Sequence, residues 1–272
     1  MTETLLKACV AGVSGRLGRA IALELIRRPG AALTGGMVGP DSVHLGADLG
    51  DIAGSGYLGV ESVVALEQAA AGAEVVIDAS TPPVTAAIAT RLAEAGGPGL
   101  VTGVTGLDVE QQAAVEAAAR RIPVLQAGNF SLGVAVVERL VEAAARLLDE
   151  TSFDLEIVET HHRRKADAPS GTALMLGRAA ARVRGTDFDN AAIFERPRTG
   201  ANRPAGAIGF AAMRGGGVVG EHEARFLSAM EEISIRHRAC DRAVFARGAV
   251  EAAQWIVNRP AGLYSMQDMI GG

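Results

Sequence analysis

The sequence predicts an α/β chain: a doubly wound parallel sheet with a second, α+β domain inserted before the last helix. Three observations carry this. Short apolar runs alternate with helix-length runs through the first half of the chain. A glycine-spaced turn, Gly12-Val13-Ser14-Gly15-Arg16-Leu17-Gly18, joins the first such strand to the first helix. After a helix-like run, Val134 to Leu148, the pattern changes to strand-like runs, three of which follow one another across short turns.

The 272 residues, 49% of them hydrophobic, are enough for two cores. The formal charge of -5, with no basic block and no interleaving of aromatic and basic residues, argues against nucleic acid as a partner. Cys9 and Cys240 have no CxxC spacing and read as buried free thiols of a reducing compartment. Glu3 and Lys7 interrupt the short start, so no secretory leader is legible. No apolar run is long enough to cross a membrane, and a cytoplasmic location is expected. The histidines are too scattered for a metal motif, and no metal is expected.

In chain order, Leu5 to Ala11 is the first strand, and Ala20 to Ile26 lies in a helix stopped by Pro29-Gly30. The G-x-x-G-x-x-G turn between them varies the dinucleotide fingerprint: a tight turn, backbone close to a pyrophosphate, and a helix packed hard on the strand. The second strand, Ala31 to Val38, ends in Val38-Gly39-Pro40, without the acid that usually holds the ribose. Asp41 follows the proline, and Arg16 is the nearest candidate for a 2′-phosphate, so NADH and NADPH both stay open. Asp41 to Val60 reads as a loop with a solvated His44, and Glu61 to Ala71 as a helix.

Three more strands follow: Val75 to Ala79, Leu100 to Thr102 and Val124 to Ala127. Helices separate them, Thr85 to Ala95 and Asp108 to Arg121. Gly103-Val104-Thr105-Gly106 and Ala127-Gly128-Asn129-Phe130 fall at strand C-terminal ends, where such sheets bind ligands. Plain turn chemistry is the competing reading of both. Val134 to Leu148 opens the second domain as an amphipathic helix.

The densest chemistry lies between the alternating run Phe153 to Val158 and the helix Thr172 to Val183. His161 and His162 can move protons near neutral pH. Lys165 can bind a carboxylate or donate a proton. Ser170 is placed to cap the helix, and Gly171 and Thr172 begin it, offering N–H groups and the positive dipole end to an anion. The bland alternative is a capped helix with a solvated basic face. The loop from Gly185 to Pro204 carries Arg196, Arg198 and Arg203, and reads equally as a lid or a soluble loop. Ala207 to Met213, Val218 to Leu227 and Ile233 to Arg238 read as a meander, with His222 and His237 structural. Asp241 is placed to cap a last helix, Ala243 to Val257, which with the tail from Gly262 can return to the first domain.

The run His161-His162-Arg163-Arg164-Lys165-Ala166-Asp167-Ala168-Pro169-Ser170-Gly171-Thr172 resembles the signature of the 4-hydroxy-tetrahydrodipicolinate reductases, or dihydrodipicolinate reductases. The resemblance continues through Gly12 to Gly18, Gly103 to Gly106, Asn129-Phe130-Ser131, Ile208-Gly209-Phe210, Val219 to His222, Phe245 to Ala249 and Gly262-Leu263-Tyr264. It implies a Rossmann domain of residues 1–130 and 241–272, completed by the C-terminal helix, and a substrate-binding, tetramer-forming domain of residues 131–240. It implies an NADH- or NADPH-dependent reduction of a cyclic dicarboxylate with loss of water, by a homotetramer. His161 would be the general acid/base and Lys165 the proton donor. His162, Ser170, Gly171 and Thr172 would bind substrate. Gly12, Val13, Ser14, Gly15, Arg16, Leu17, Val38, Gly103, Val104, Thr105, Ala127, Gly128, Asn129 and Phe130 would contact the cofactor. Val38-Gly39 departs from the acid-then-base pair common in the family. Another two-domain nicotinamide oxidoreductase and a nucleotide-sensing protein without turnover are the rival readings; the His-His-x-x-Lys and Ser-Gly-Thr arrangement argues against the first, and intact His161 and Lys165 against the second.

Overall fold

The computed structural model describes residues 5–196, 200 and 202–271; Arg198 of the arginine-rich loop lies outside them. The chain divides into two units, one running to Ser131 and resuming at Ala243, the other Leu132–Arg242.

In the first unit the elements run β1 (Leu6–Ala11), α1 (Arg16–Arg27), β2 (Ala31–Met37), α2 (Leu49–Ala53), β3 (Ser62–Val63) and α3 (Leu66–Ala69). They continue with β4 (Val75–Asp78), α4 (Pro82–Ala95), β5 (Gly99–Thr102), α5 (Val109–Ala119) and β6 (Pro123–Gln126). The second unit holds α6 (Leu132–Leu147), β7 (Asp154–His161), α7 (Gly171–Arg184), α8 (Phe188–Ala191), β8 (Ala192–Ile193), β9 (Ile208–Arg214), β10 (Gly220–Leu227) and β11 (Glu232–Ala239). The chain then returns to the first unit with α9 (Ala243–Ile256), β12 (Gly262–Tyr264) and α10 (Met266–Gly271).

The first unit is a parallel sheet of seven strands in the order β12-β6-β5-β4-β1-β2-β3. Strand order reverses between β1 and β4, so loops leaving the two strands diverge there and open a crevice at their carboxyl ends. Val75, Val76, Ile77, Leu100 and Val101 are fully buried, as a sheet covered on both faces requires. Each such side chain contributes about 1.5–3 kcal/mol by leaving water. The returning segment belongs to this core: β12 pairs with β6, and α9 packs on β4, β5 and β6. Asp78, fully buried at the end of β4, accepts hydrogen bonds from Ser80 N at 3.0 Å, Thr85 Oγ1 at 2.6 Å and Thr102 Oγ1 at 3.0 Å. One carboxylate thus ties the β4–α4 turn, the first turn of α4 and the end of β5.

The second unit is a mixed sheet in the order β11-β10-β7-β9-β8, covered by α6 and α7. The expected meander is not formed. β7 lies between β9 and β10, parallel to the first and antiparallel to the second. The long alternating strand takes the central place because both of its edges can pair while its apolar face is covered.

Three further expectations are corrected. Glu61 to Ala71 is not one helix: Ser62 and Val63 extend the sheet edge beside Gly36 and Met37, leaving only the short α3. The loop from Asp41 contains α2, because Asp48 caps it, accepting from Gly50 N and Asp51 N. Cys240 is exposed, whereas Cys9 is buried and its thiol pushed up to about 12 by that burial.

Candidate active site

Alternation along β7 builds the site. Leu155, Ile157, Glu159 and His161 share the buried face. On β10, Phe226, Ala224 and His222 lie opposite Leu155, Ile157 and Glu159. On β9, Ile208, Phe210 and Arg214 lie beside Leu155, Ile157 and His161. The same face therefore passes from an apolar core to a polar end within one strand length, and the polar end is where the chemistry gathers.

Glu159 is 1% exposed and meets four donors. Its Oε2 bonds His161 Nδ1 at 2.6 Å and Arg214 Nη1 at 2.7 Å; its Oε1 accepts from Arg214 Nη2 at 2.7 Å and Ser170 N at 3.0 Å. Burial alone would raise this carboxyl, but the hydrogen bonds from Arg214, His161 and Ser170 outweigh it and hold Glu159 below the usual range. An ionised carboxylate only accepts, so His161 Nδ1 carries a proton. The other ring nitrogen, Nε2, faces Gly220, where an added Cβ would stand 3.0 Å from it. The His161 and His222 rings meet edge to face at 5.0 Å. Burial, helped by the neighbouring His161, pushes His222 down to about 4, so it is neutral at pH 7. Its Nε2 lies 2.9 Å from Ser170 Oγ, which also accepts from Ala173 N at 3.2 Å and so caps α7.

The segment leaving β7 is stitched to the β9–β10 turn: Gly215 N donates to His161 O at 2.9 Å, and His162 N to Val218 O at 2.8 Å. Half-buried His162 is held below its ordinary value by burial, then by Arg242 and Arg164. Lys165 Nζ lies 2.8 Å from Asp167 Oδ2. The Asp167 side chain is 60% exposed, so this pair is worth at most about 1 kcal/mol. Arg214 Nη2 also donates to Asp167 O at 2.6 Å. Gly171 starts α7 in the open, with no atom within 4 Å of where a Cβ would be.

In the first unit, Gly12 to Leu17, Val38, Gly103 to Thr105 and Ala127 to Phe130 all follow strand carboxyl ends, on one edge of the parallel sheet. Gly12 has φ +73, and a Cβ there would stand 2.7 Å from Ala79 O. At Gly18 a Cβ would strike the Gly12 carbonyl oxygen, so α1 packs against a turn bare of side chains. α1 has neither a capping side chain nor an acid in its first turn. That bare, positive helix end fits a pyrophosphate. Val13, Val38 and Phe130 are buried. His44 is not simply solvated: its Nε2 lies 2.7 Å from Arg19 Nη2, and Arg19 Nε donates to Ser14 O at 2.8 Å.

Two family models match the chain in tandem: dihydrodipicolinate reductase, N-terminus, over residues 6–130, and dihydrodipicolinate reductase, C-terminus, over residues 133–270. The chain belongs to the dihydrodipicolinate reductase family. It is 46% identical over 266 residues to the 4-hydroxy-tetrahydrodipicolinate reductase of Methylocella silvestris, covering 98% of this chain and 97% of that protein. It is 44% identical over 267 residues to that of Caulobacter vibrioides, covering 97% of each. Like other members of the dihydrodipicolinate reductase family, it is an oxidoreductase. The fold is shared with a dipicolinate-bound dihydrodipicolinate reductase from Paenisporosarcina sp. TG-14, at a TM-score of 0.77 and 20% identity, covering 98% of this chain and 100% of that one. An amine dehydrogenase from Mycobacterium smegmatis shares it at 0.60 and 14% identity, covering 96% and 95%.

Glu159 and Arg214 carry no local signature in the sequence of this dihydrodipicolinate reductase family member, and His222, expected to be structural, is buried beside His161 and Ser170. Glu159 only continues the Leu155-Ile157 alternation toward His161. Arg214 and His222 enter through pairing with β7, which no local pattern reveals.

Proposed function

We propose that the chain reduces 4-hydroxy-tetrahydrodipicolinate to tetrahydrodipicolinate with loss of water, using NADH or NADPH, as a step of diaminopimelate and lysine synthesis. The observation that carries this reading is the convergence of His161, Lys165 and the open start of α7 around one buried carboxylate, in a chain of this family.

The substrate is a small dicarboxylate. The start of α7 at Ser170, Gly171 and Thr172, with His162, receives one carboxylate at the positive helix end, the Ser170 N–H itself staying with Glu159. Lys165 exchanges Asp167 for the substrate and brings a mobile proton on Nζ. A bound nicotinamide supplies the hydride. The conjugated ring then carries extra negative charge, which Lys165 both stabilises and quenches by protonation. His161, with its proton fixed on Nδ1 and Nε2 presented, serves as the general acid/base. Gly12 to Leu17 with Gly103 to Thr105 and Ala127 to Phe130 form the cofactor cradle, chiefly through backbone, and Val38 lies at the ribose end. The active enzyme is a cytoplasmic homotetramer in this reading.

The test is a coupled assay in which the preceding synthase makes the unstable substrate in place from pyruvate and aspartate semialdehyde. Oxidation of NADH or NADPH that depends on the synthase is the expected result, and the ratio of the two rates reads out what Val38-Gly39 prefers. Folded protein that oxidises neither would overturn the proposal.

A further inference from the structure

We infer that Glu159, gripped by Arg214, is the positioning residue for His161: it sets the imidazole with Nδ1 bonded and Nε2 presented, and joins that ring to the start of α7. This rests on the reading of His161 as the acid/base group.

The geometry allows little else. A carboxylate has about four acceptor positions, and those of Glu159 are met by four donors, His161 Nδ1, Ser170 N and two nitrogens of Arg214. The Arg214 fork holds the carboxylate in plane, because two parallel N–H bonds fix orientation as one cannot. Arg214 spends a further N–H on Asp167 O, the partner residue of Lys165. One carboxylate–guanidinium pair therefore indexes three parts of the site: the His161 ring, the cap residue of α7 and the loop that carries Lys165. A pair placed only for stability would not need its acceptors shared among these three. Nor would one sit at the polar end of an otherwise apolar strand face.

The amide of glutamine has one acceptor oxygen and two N–H donors, so Glu159→Gln cannot satisfy the same four donors. If its oxygen stays with Arg214 and Ser170, its NH₂ group faces His161, which then accepts on Nδ1 and carries its proton on Nε2. The wrong nitrogen is then protonated for the chemistry, as happens when a carboxylate beside a catalytic imidazole becomes an amide.

The experiment compares full-length wild type and Glu159→Gln by ¹⁵N NMR of the imidazoles, by kcat in the coupled assay, and by nucleotide Kd. The expected result is a His161 ring moved from Nδ1–H toward Nε2–H, a kcat lower by about 10²-fold or more, and an unchanged Kd. A ring that keeps its Nδ1 proton overturns the inference, whether kcat falls or not. If Glu159→Gln does not fold, Arg214→Lys replaces it, keeping the charge while losing the fork. A smaller kcat with mixed His161 tautomers is then expected, and wild-type values of both overturn the inference. His161→Ala is measured alongside. Wild-type turnover in that variant sinks the acid/base reading itself, a failure the tautomer readout keeps separate.

Discussion

Lys165 and His222 stand on the same scaffold, but one is paired with an exposed carboxylate and the other is buried. The Lys165 ammonium is held by an exposed partner, so removing it should disturb little besides the reaction. Lys165→Ala is expected to lower kcat by about 10²–10⁴-fold with nucleotide affinity unchanged, by stopped-flow turnover and fluorescence titration. Equal kcat would remove its role as donor. His222 acts through burial. Its folded-state value of about 4 lies below the ordinary 6.5, so the unfolded chain binds more protons between those values. The neutral ring's contribution is fully present above pH 6.5 and is lost as pH falls toward about 4, on the order of 3 kcal/mol in all. His222→Gln should therefore flatten the fall of urea-unfolding stability across that window. An unchanged slope would mean that His222 is not kept neutral by the fold.

At the scale of elements, each unit has one polar residue that fastens several segments. Asp78 does this at the end of β4, with Ser80, Thr85 and Thr102 as donors. Asp78→Ala strands those donors in a dry environment and should destabilise the first unit by about 2–4 kcal/mol. Chemical denaturation checks the value, and a loss under about 0.5 kcal/mol would place the donors in contact with water. Because Asp78 anchors the turn that Gly12 packs against, the same variant is expected to weaken nucleotide binding. Helix α7 is fastened in the same way from its N-terminus, where Ser170 gives its backbone N–H to Glu159 while its hydroxyl oxygen accepts from Ala173 N and meets His222 Nε2.

For the whole molecule, chain connectivity and core membership do not coincide. The first unit's sheet ends on β12, and α9 covers its central strands, although some 110 residues of the second unit intervene. A chain cut after Arg242 would leave Val101 and Leu125, on the sheet face where Gly99 meets Ile256 of α9, without that cover, so it should lose the cooperative unfolding transition of the first unit. Differential scanning calorimetry tests this, and a retained transition would mean that α9 is dispensable. No helix among the described residues is long and apolar enough to cross a membrane. Sedimentation equilibrium should return the mass of four chains; a monomer that turns over normally would refute the tetramer.

Sequence alone determined the parallel sheet, the glycine turn at its first crossover, and the run from His161 to Thr172. These are local: apolar periodicity, glycine spacing and contiguous reactive residues are written within one element or one turn. Tertiary structure decided what faces that run. β7 intrudes between β9 and β10, and only that order brings Arg214 and His222 to Glu159. Strand order depends on which edges pair over long sequence separations, and alternating polar residues look the same whether they meet water or one another. Glu159 read as the polar half of an alternating strand; burial, four donors and two partner strands made it the centre of the site.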